Sequence, residues 1–91
     1  MTRNQHIKFA AYLKAMGNPV RLQILEHLIK KGECVCGDIT SKLPVAASTA
    51  SQHLKVLKEA GLITGTIDGP RRCYCVNQKN LDEFRELVGK L

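Results

Sequence analysis

Residues 46–63, A-A-S-T-A-S-Q-H-L-K-V-L-K-E-A-G-L-I, decide the fold. They read as one amphipathic helix closed by glycine. At about 100° per residue, Ala50, Leu54 and Leu57 fall on one stripe. Ser48, Gln52, Lys55 and Glu59 fall on the opposite side, flanked by Ser51. Gly61 supplies the left-handed residue that stops a helix. The polar face opens with small hydroxyls and an amide, not with the Glu/Lys mixture of an ordinary solvated face. Short side chains let a helix approach a surface closely, and Ser, Thr and Gln donate and accept toward base edges and phosphates. Alone, the stretch reads equally as a serine-rich solvated helix. Its neighbours decide between the two.

Upstream, residues 5–16 form a helical pattern with Phe9, Leu13 and Met16 on one face and Tyr12 beside them. Gly17 ends it, and Asn18-Pro19 starts a second helix with an N-cap followed by proline. That helix is expected to turn Leu22, Leu25, Leu28 and Ile29 inward and to close at Lys30, Lys31 and Gly32. Residues 33–36 suit a short strand, and residues 38–43 a short third helix stopped by Pro44. Downstream, residues 62–67 and 72–76 are two strands around the turn chemistry of Asp68-Gly69-Pro70. A last helix is expected to be capped by Asn80 with Glu83, carrying Leu81, Phe84, Leu87, Val88 and Leu91 as its stripe. The order is helix, helix, short strand, helix, helix, hairpin, helix. That is a mostly α, α+β chain: a winged helix-turn-helix of five helices with a β-hairpin wing, spanning residues 1–91 as one domain. The second helix of the pair can enter a major groove while the basic hairpin tip, Arg71 and Arg72, reaches the backbone.

The totals agree. Ninety-one residues with a net charge of +6 and a pI near 9.4 favour a polyanionic partner. Trp is absent and aromatics are scarce, which argues against a carbohydrate site or a base-stacking RNA platform. No apolar run approaches membrane length, so the chain reads as cytoplasmic, with no membrane partner. In that compartment its four cysteines are expected to be ligands or redox sensors rather than structural disulfides. No nucleophile–base pair and no paired carboxylates suggest an enzyme.

Three segments resemble the ArsR/SmtB family of metal- and metalloid-responsive repressors. N-P-V-R-L-Q-I-L at 18–25 resembles its second-helix signature, and residues 48–63 are similar to its recognition helix almost residue for residue. E-C-V-C-G-D-I at 33–39 is close to the E-L-C-V-C-D-L metal box of its arsenical sensors. It departs by placing the cysteines directly after Glu33, by inserting Gly37, and by lacking a third cysteine in residues 39–43. Ala46 stands where such proteins usually cap the recognition helix with Ser or Thr, a loss of about 1 kcal/mol. The resemblance implies a homodimer paired through the first and last helices. It also implies an inverted-repeat, double-stranded DNA operator with half-sites about one helical turn apart. Ala47, Ser48, Thr49, Ser51, Gln52 and His53 are then the groove-side candidates, with Gln52 best suited to adenine and His53 suited to a phosphate or a neighbouring helix. Lys42, Lys55, Arg71 and Arg72 are candidates for phosphates.

The cysteines form two Cys-x-Cys pairs, Cys34/Cys36 and Cys73/Cys75. Residues two apart on a strand share a side. In a winged helix the short strand pairs with the second hairpin strand, which brings the two pairs together. Three readings are open. The thiolates bind a soft ion, As(III) or Sb(III), or Cd(II), Pb(II) or Zn(II), as effector. They form a thiol–disulfide or persulfide switch. Or they fill space as small hydrophobes. A site between the terminal helices around His6 is disfavoured, because the last helix carries no histidine. The leading function is a dimeric repressor that releases its operator on binding the ion. The alternatives are a thiol-redox or persulfide repressor and a non-sensing winged-helix interaction module.

Overall fold

A computed structural model describes residues 1–37, 43–66 and 72–91. Its elements are α1 (Arg3–Met16), α2 (Pro19–Lys31), β1 (Val35–Cys36), α3 (Ala47–Glu59), β2 (Ile63–Thr66), β3 (Cys73–Val76) and α4 (Gln78–Gly89). Among the described residues, four helices and a three-stranded antiparallel sheet of order β1-β3-β2 make a winged helix-turn-helix. The expected short helix at 38–43 falls almost wholly on residues outside those described, as does the hairpin tip at 67–71.

Local chemistry sets the helix ends. Thr2 and Gln5 form a capping box, Thr2 Oγ1 accepting from the Gln5 N–H and Gln5 Oε1 from the Thr2 N–H. That is why α1 begins at Arg3, two residues before the apolar pattern does. Asn18 Oδ1 accepts from the N–H groups of Val20 and Arg21, with Pro19 at the first helical position. Gly32 closes α2 at φ 69°.

The core joins Tyr12, Ala15, Ile24, Leu25, Leu28, Leu54, Leu57, Leu62, Ile63 and Tyr74. One expected inward position is corrected: Leu22 is 50% exposed, and Leu13 of the α1 stripe is 47% exposed. On α1 the buried row is Phe9, Tyr12 and Ala15, turned so that Phe9 and Tyr12 meet Phe84 of α4 at ring-centroid distances of 5.7 and 6.2 Å. On α2 the row is Ile24, Leu25 and Leu28, which leaves Leu22 outside.

The start of α4 is corrected too. Asn77, not Asn80, is the cap, and it accepts from the Asn80 N–H. Asn80 Nδ2 instead donates to the Gly61 carbonyl at 2.8 Å. Glu83 accepts from the Tyr12 hydroxyl at 3.0 Å and pairs with Lys8 at 3.6 Å. Burial first, and then Glu83, push the Tyr12 phenol up to about 12. The expected cap pair thus serves tertiary contacts.

Helix α3 starts without a cap. Ala46 has extended backbone (φ −61°, ψ 151°) and its side chain accepts nothing. Ala46→Ser should supply the missing acceptor to the first turn and stabilise the fold by about 1 kcal/mol. The check is a rise in the denaturant midpoint at constant m-value; an unchanged midpoint would remove the cap argument.

Candidate nucleic-acid interface and cysteine centre

Helix α3 buries Ala50, Leu54 and Leu57 and presents Ala47, Ser48, Thr49, Gln52 and Lys55 to solvent. Ser51 and His53 lie half-buried on its flanks. The residues expected on the groove side thus comprise an exposed row with two half-buried residues on its flanks. Arg72 is half-buried just before β3, and its carbonyl accepts from the Gly37 N–H at 2.8 Å. Lys42 and Arg71 lie outside the described residues.

Two side chains that the sequence pattern does not single out hold this helix in place. Lys58 Nζ, in the last turn of α3, donates to the Gly65 carbonyl of β2 at 2.6 Å. Arg21 reaches from the first turn of α2 to three groups. Its Nε–H donates to the Ala15 carbonyl at 2.6 Å, Nη2 to the Lys14 carbonyl at 3.4 Å, and Nη1 lies 3.1 Å from His53 Nδ1. The signal for Arg21 was its position. A cation in the first turn of a helix faces the positive end of the dipole, so it is poorly placed unless tertiary acceptors hold it.

Behind the helix, β3 pairs with β1 in the register Val35↔Tyr74 and Cys36↔Cys73, and with β2 through Gly65↔Tyr74, Thr66↔Cys73 and Thr64↔Cys75. Alternation sends Tyr74 into the core at 1% exposure and leaves Cys73 and Cys75 half-buried on the other face. Gly65 lies opposite Tyr74 at φ 124°, and a Cβ there would run into the Cys73 carbonyl. The strand crossing that unites the two Cys-x-Cys pairs is as the fold argument expected. The four sulfurs are joined as two cross-strand disulfides, Cys34–Cys75 and Cys36–Cys73, with Cα–Cα distances of 4.3 and 4.0 Å. In this pairing no cysteine is free, and no group of three or more potential ligands among the described residues is set to hold a metal. Of the three readings of the cysteines, this pairing is the arrangement that a thiol–disulfide switch requires. Cross-strand neighbours lie close enough to bond each other. The Cys34–Cys75 bond borders a hollow of about 290 Å³ formed with Gly32, Glu33, Val76 and Gln78, so small reagents can reach it.

Comparison with known proteins places this geometry. A helix-turn-helix domain family matches residues 16–66. The chain is 36% identical to the helix-turn-helix-type transcriptional regulator MJ1325 of Methanocaldococcus jannaschii, over 92% of this chain and 94% of that protein. It is 36% identical to the arsenical resistance operon repressor of Bacillus subtilis, over 82% of this chain and 71% of that protein. The solved structure of a possible transcriptional regulator for arsenical resistance is similar with a TM-score of 0.69 at 29% identity, covering 87% of this chain and 81% of that one. No described helix is long and apolar enough to cross a membrane.

The pairing makes a covalent prediction. Mildly oxidised protein should lack titratable thiols and be lighter than the reduced chain by four hydrogens, two for each bond. Digestion should join residues 33–37 to residues 72–76 in one linked fragment. Bonds within Cys34/Cys36 or within Cys73/Cys75 would contradict the register.

Proposed function

Because the chain belongs to the ArsR/SmtB family of winged-helix transcription regulators, we propose that it is a dimeric repressor that lets go of DNA when its cysteines react. The observation that carries this is the exposed α3 row of Ser48, Thr49, Gln52 and Lys55, held beside a strand pair that gathers all four cysteines. Ala47 at the helix entry is short enough to let the row approach a major groove. Gln52 is the residue for bidentate recognition of adenine, with Ser48, Thr49 and Ser51 beside it. Lys42, Lys55, Arg71 and Arg72 hold phosphates.

Residues 1–91 act as one domain with α1 and α4 as its dimerisation helices. Ile7 and Leu13 on α1, and Val88 and Leu91 at the end of α4, are 46–84% exposed, an apolar surface suited to a second copy. The operator is an inverted repeat of half-sites about one turn apart.

The effector is a soft ion, As(III) or Sb(III), or Cd(II), Pb(II) or Zn(II), held by Cys34, Cys36, Cys73 and Cys75. Thiolate is the ligand, so these residues fit an ion only once both disulfides are reduced. The arsenical resistance proteins among the relatives support this class of effector. The observed disulfides favour a second reading, in which an oxidant is the signal. Each bond then forms as two thiols lose two protons and two electrons to a peroxide, which leaves as water. Either event acts on β3. Its pairing with β2, and the Lys58–Gly65 bond beyond, carry a change there toward α3.

Two measurements test the proposal. Gln52→Ala should relax preference at one operator position by about 1–3 kcal/mol while leaving random-duplex binding in place. Equal losses on both would remove Gln52 from base reading. Titration of the reduced protein–operator complex without oxygen should release DNA with As(III) or Cd(II). Release by peroxide alone would favour the oxidant reading, and release unchanged in Cys34→Ser and Cys73→Ser would exclude both.

A further inference from the structure

Arg21 touches no solvent-facing row, yet it reaches the recognition helix. Its guanidinium carries donors and no acceptor. At 3.1 Å from His53 Nδ1, it therefore requires that nitrogen to be the acceptor. A ring that accepts at Nδ1 is neutral and carries its one proton on Nε2. No partner for Nε2 is found among the described residues, and His53 is half-buried. His53 lies on the flank of α3 between the exposed row and the buried stripe. When that row faces base edges, the flank faces the groove wall, which is phosphate.

We propose that Arg21 is a positioning residue for DNA binding, fixing His53 as a neutral Nε2–H donor to a backbone phosphate. The inference rests on the DNA-binding function proposed for α3. The fork geometry explains why arginine stands here. Nε and Nη2 grip the Ala15 and Lys14 carbonyls at the end of α1, which leaves Nη1 aimed across at α3. A lysine has the charge but cannot span two helices from one nitrogen. Three of the five N–H donors of Arg21 face acceptors inside the protein, and the proposed role gives it no phosphate of its own.

The test has a spectroscopic arm and a binding arm. At about pH 8, where an ordinary imidazole is neutral, ring nitrogen NMR of the free wild-type protein should show His53 with Nε2 protonated and Nδ1 bare. In Arg21→Met and Arg21→Lys the two tautomers should mix. Operator affinity should fall about tenfold in both, as for a lost hydrogen bond to a charged group. The slope of affinity against salt should stay unchanged, because no phosphate-neutralising cation is removed. His53→Asn keeps an acceptor near Nδ1 but has no Nε2–H, and should lose about the same tenfold. Arg21→Met combined with His53→Asn should lose no more than either alone, which a merely structural role for Arg21 would not give. Since Arg21 also ties α1 to α2, His53→Asn keeps the test open if the Arg21 variants fold poorly. Additive losses, a salt slope flattened by about one in Arg21→Met, or an Nδ1-protonated ring in the wild type would overturn the role of Arg21. Wild-type protein that binds no duplex at low salt would instead overturn the DNA-binding reading, whatever the tautomer.

Discussion

The sheet that gathers the cysteines depends on the register of β3. This strand is the middle one of three, hydrogen-bonded on both edges, and only four residues long. Its two-residue period divides the labour. Tyr74 goes into the core against the helices, and Cys73 and Cys75 go to the opposite face to meet β1. A slip of one residue would send the cysteines inward and the tyrosine out. The register is held from both sides. Val35 and Gly65 oppose Tyr74, and Gly65 must be glycine because its backbone is left-handed and the Cys73 carbonyl fills the space of a Cβ.

The recognition helix is seated by a similar division of roles. Its apolar stripe supplies Leu54 and Leu57 to the core, which fixes its depth but not its rotation or slide. Polar contacts supply the rest. Lys58 ties the last turn to β2, and Arg21 ties the middle turn to α1 and α2. The first turn, which carries Ala47, Ser48 and Thr49, has no side-chain cap, so its order depends on the turns C-terminal to it.

The order of the described elements and the meeting of the cysteine pairs were legible because periodicity and topology are strong signals. Asn18-Pro19, Gly32 and Gly61 all punctuate where their chemistry says they should. The misses share one physical cause. Leu22 is apolar at helical spacing, yet which of several overlapping stripes turns inward depends on the partner that the helix meets. Asn80 and Glu83 made a plausible cap pair, but the carbonyl of Gly61 and the hydroxyl of Tyr12 claimed them. Arg21 was hidden for the same reason, since its acceptors come from α1 and α3. The cysteines left a choice open for a different reason: spacing brings thiols together but does not say whether they bond.

Strand geometry also limits what the cysteine quartet can be. Cysteines two apart on one strand are separated by roughly 6.6 Å of backbone, whereas the cross-strand partners are 4.0 and 4.3 Å apart at Cα. The four side chains therefore rise from the corners of an oblong, not of a square. A tetrahedral centre with metal–sulfur bonds of about 2.3 Å draws all four sulfurs equally close, and the long sides of the oblong resist that. Two sulfurs across the strands come together with no backbone movement, and a third from one neighbour can lean in. The quartet is better described as two adjacent dithiols than as one cage. That description accommodates an ion taking two or three thiolates and accommodates disulfide formation, but never both on the same sulfurs. Oxidation and ion binding are therefore mutually exclusive on any one dithiol, and the ion sensing proposed for this sheet requires at least one of the two pairs to be reduced.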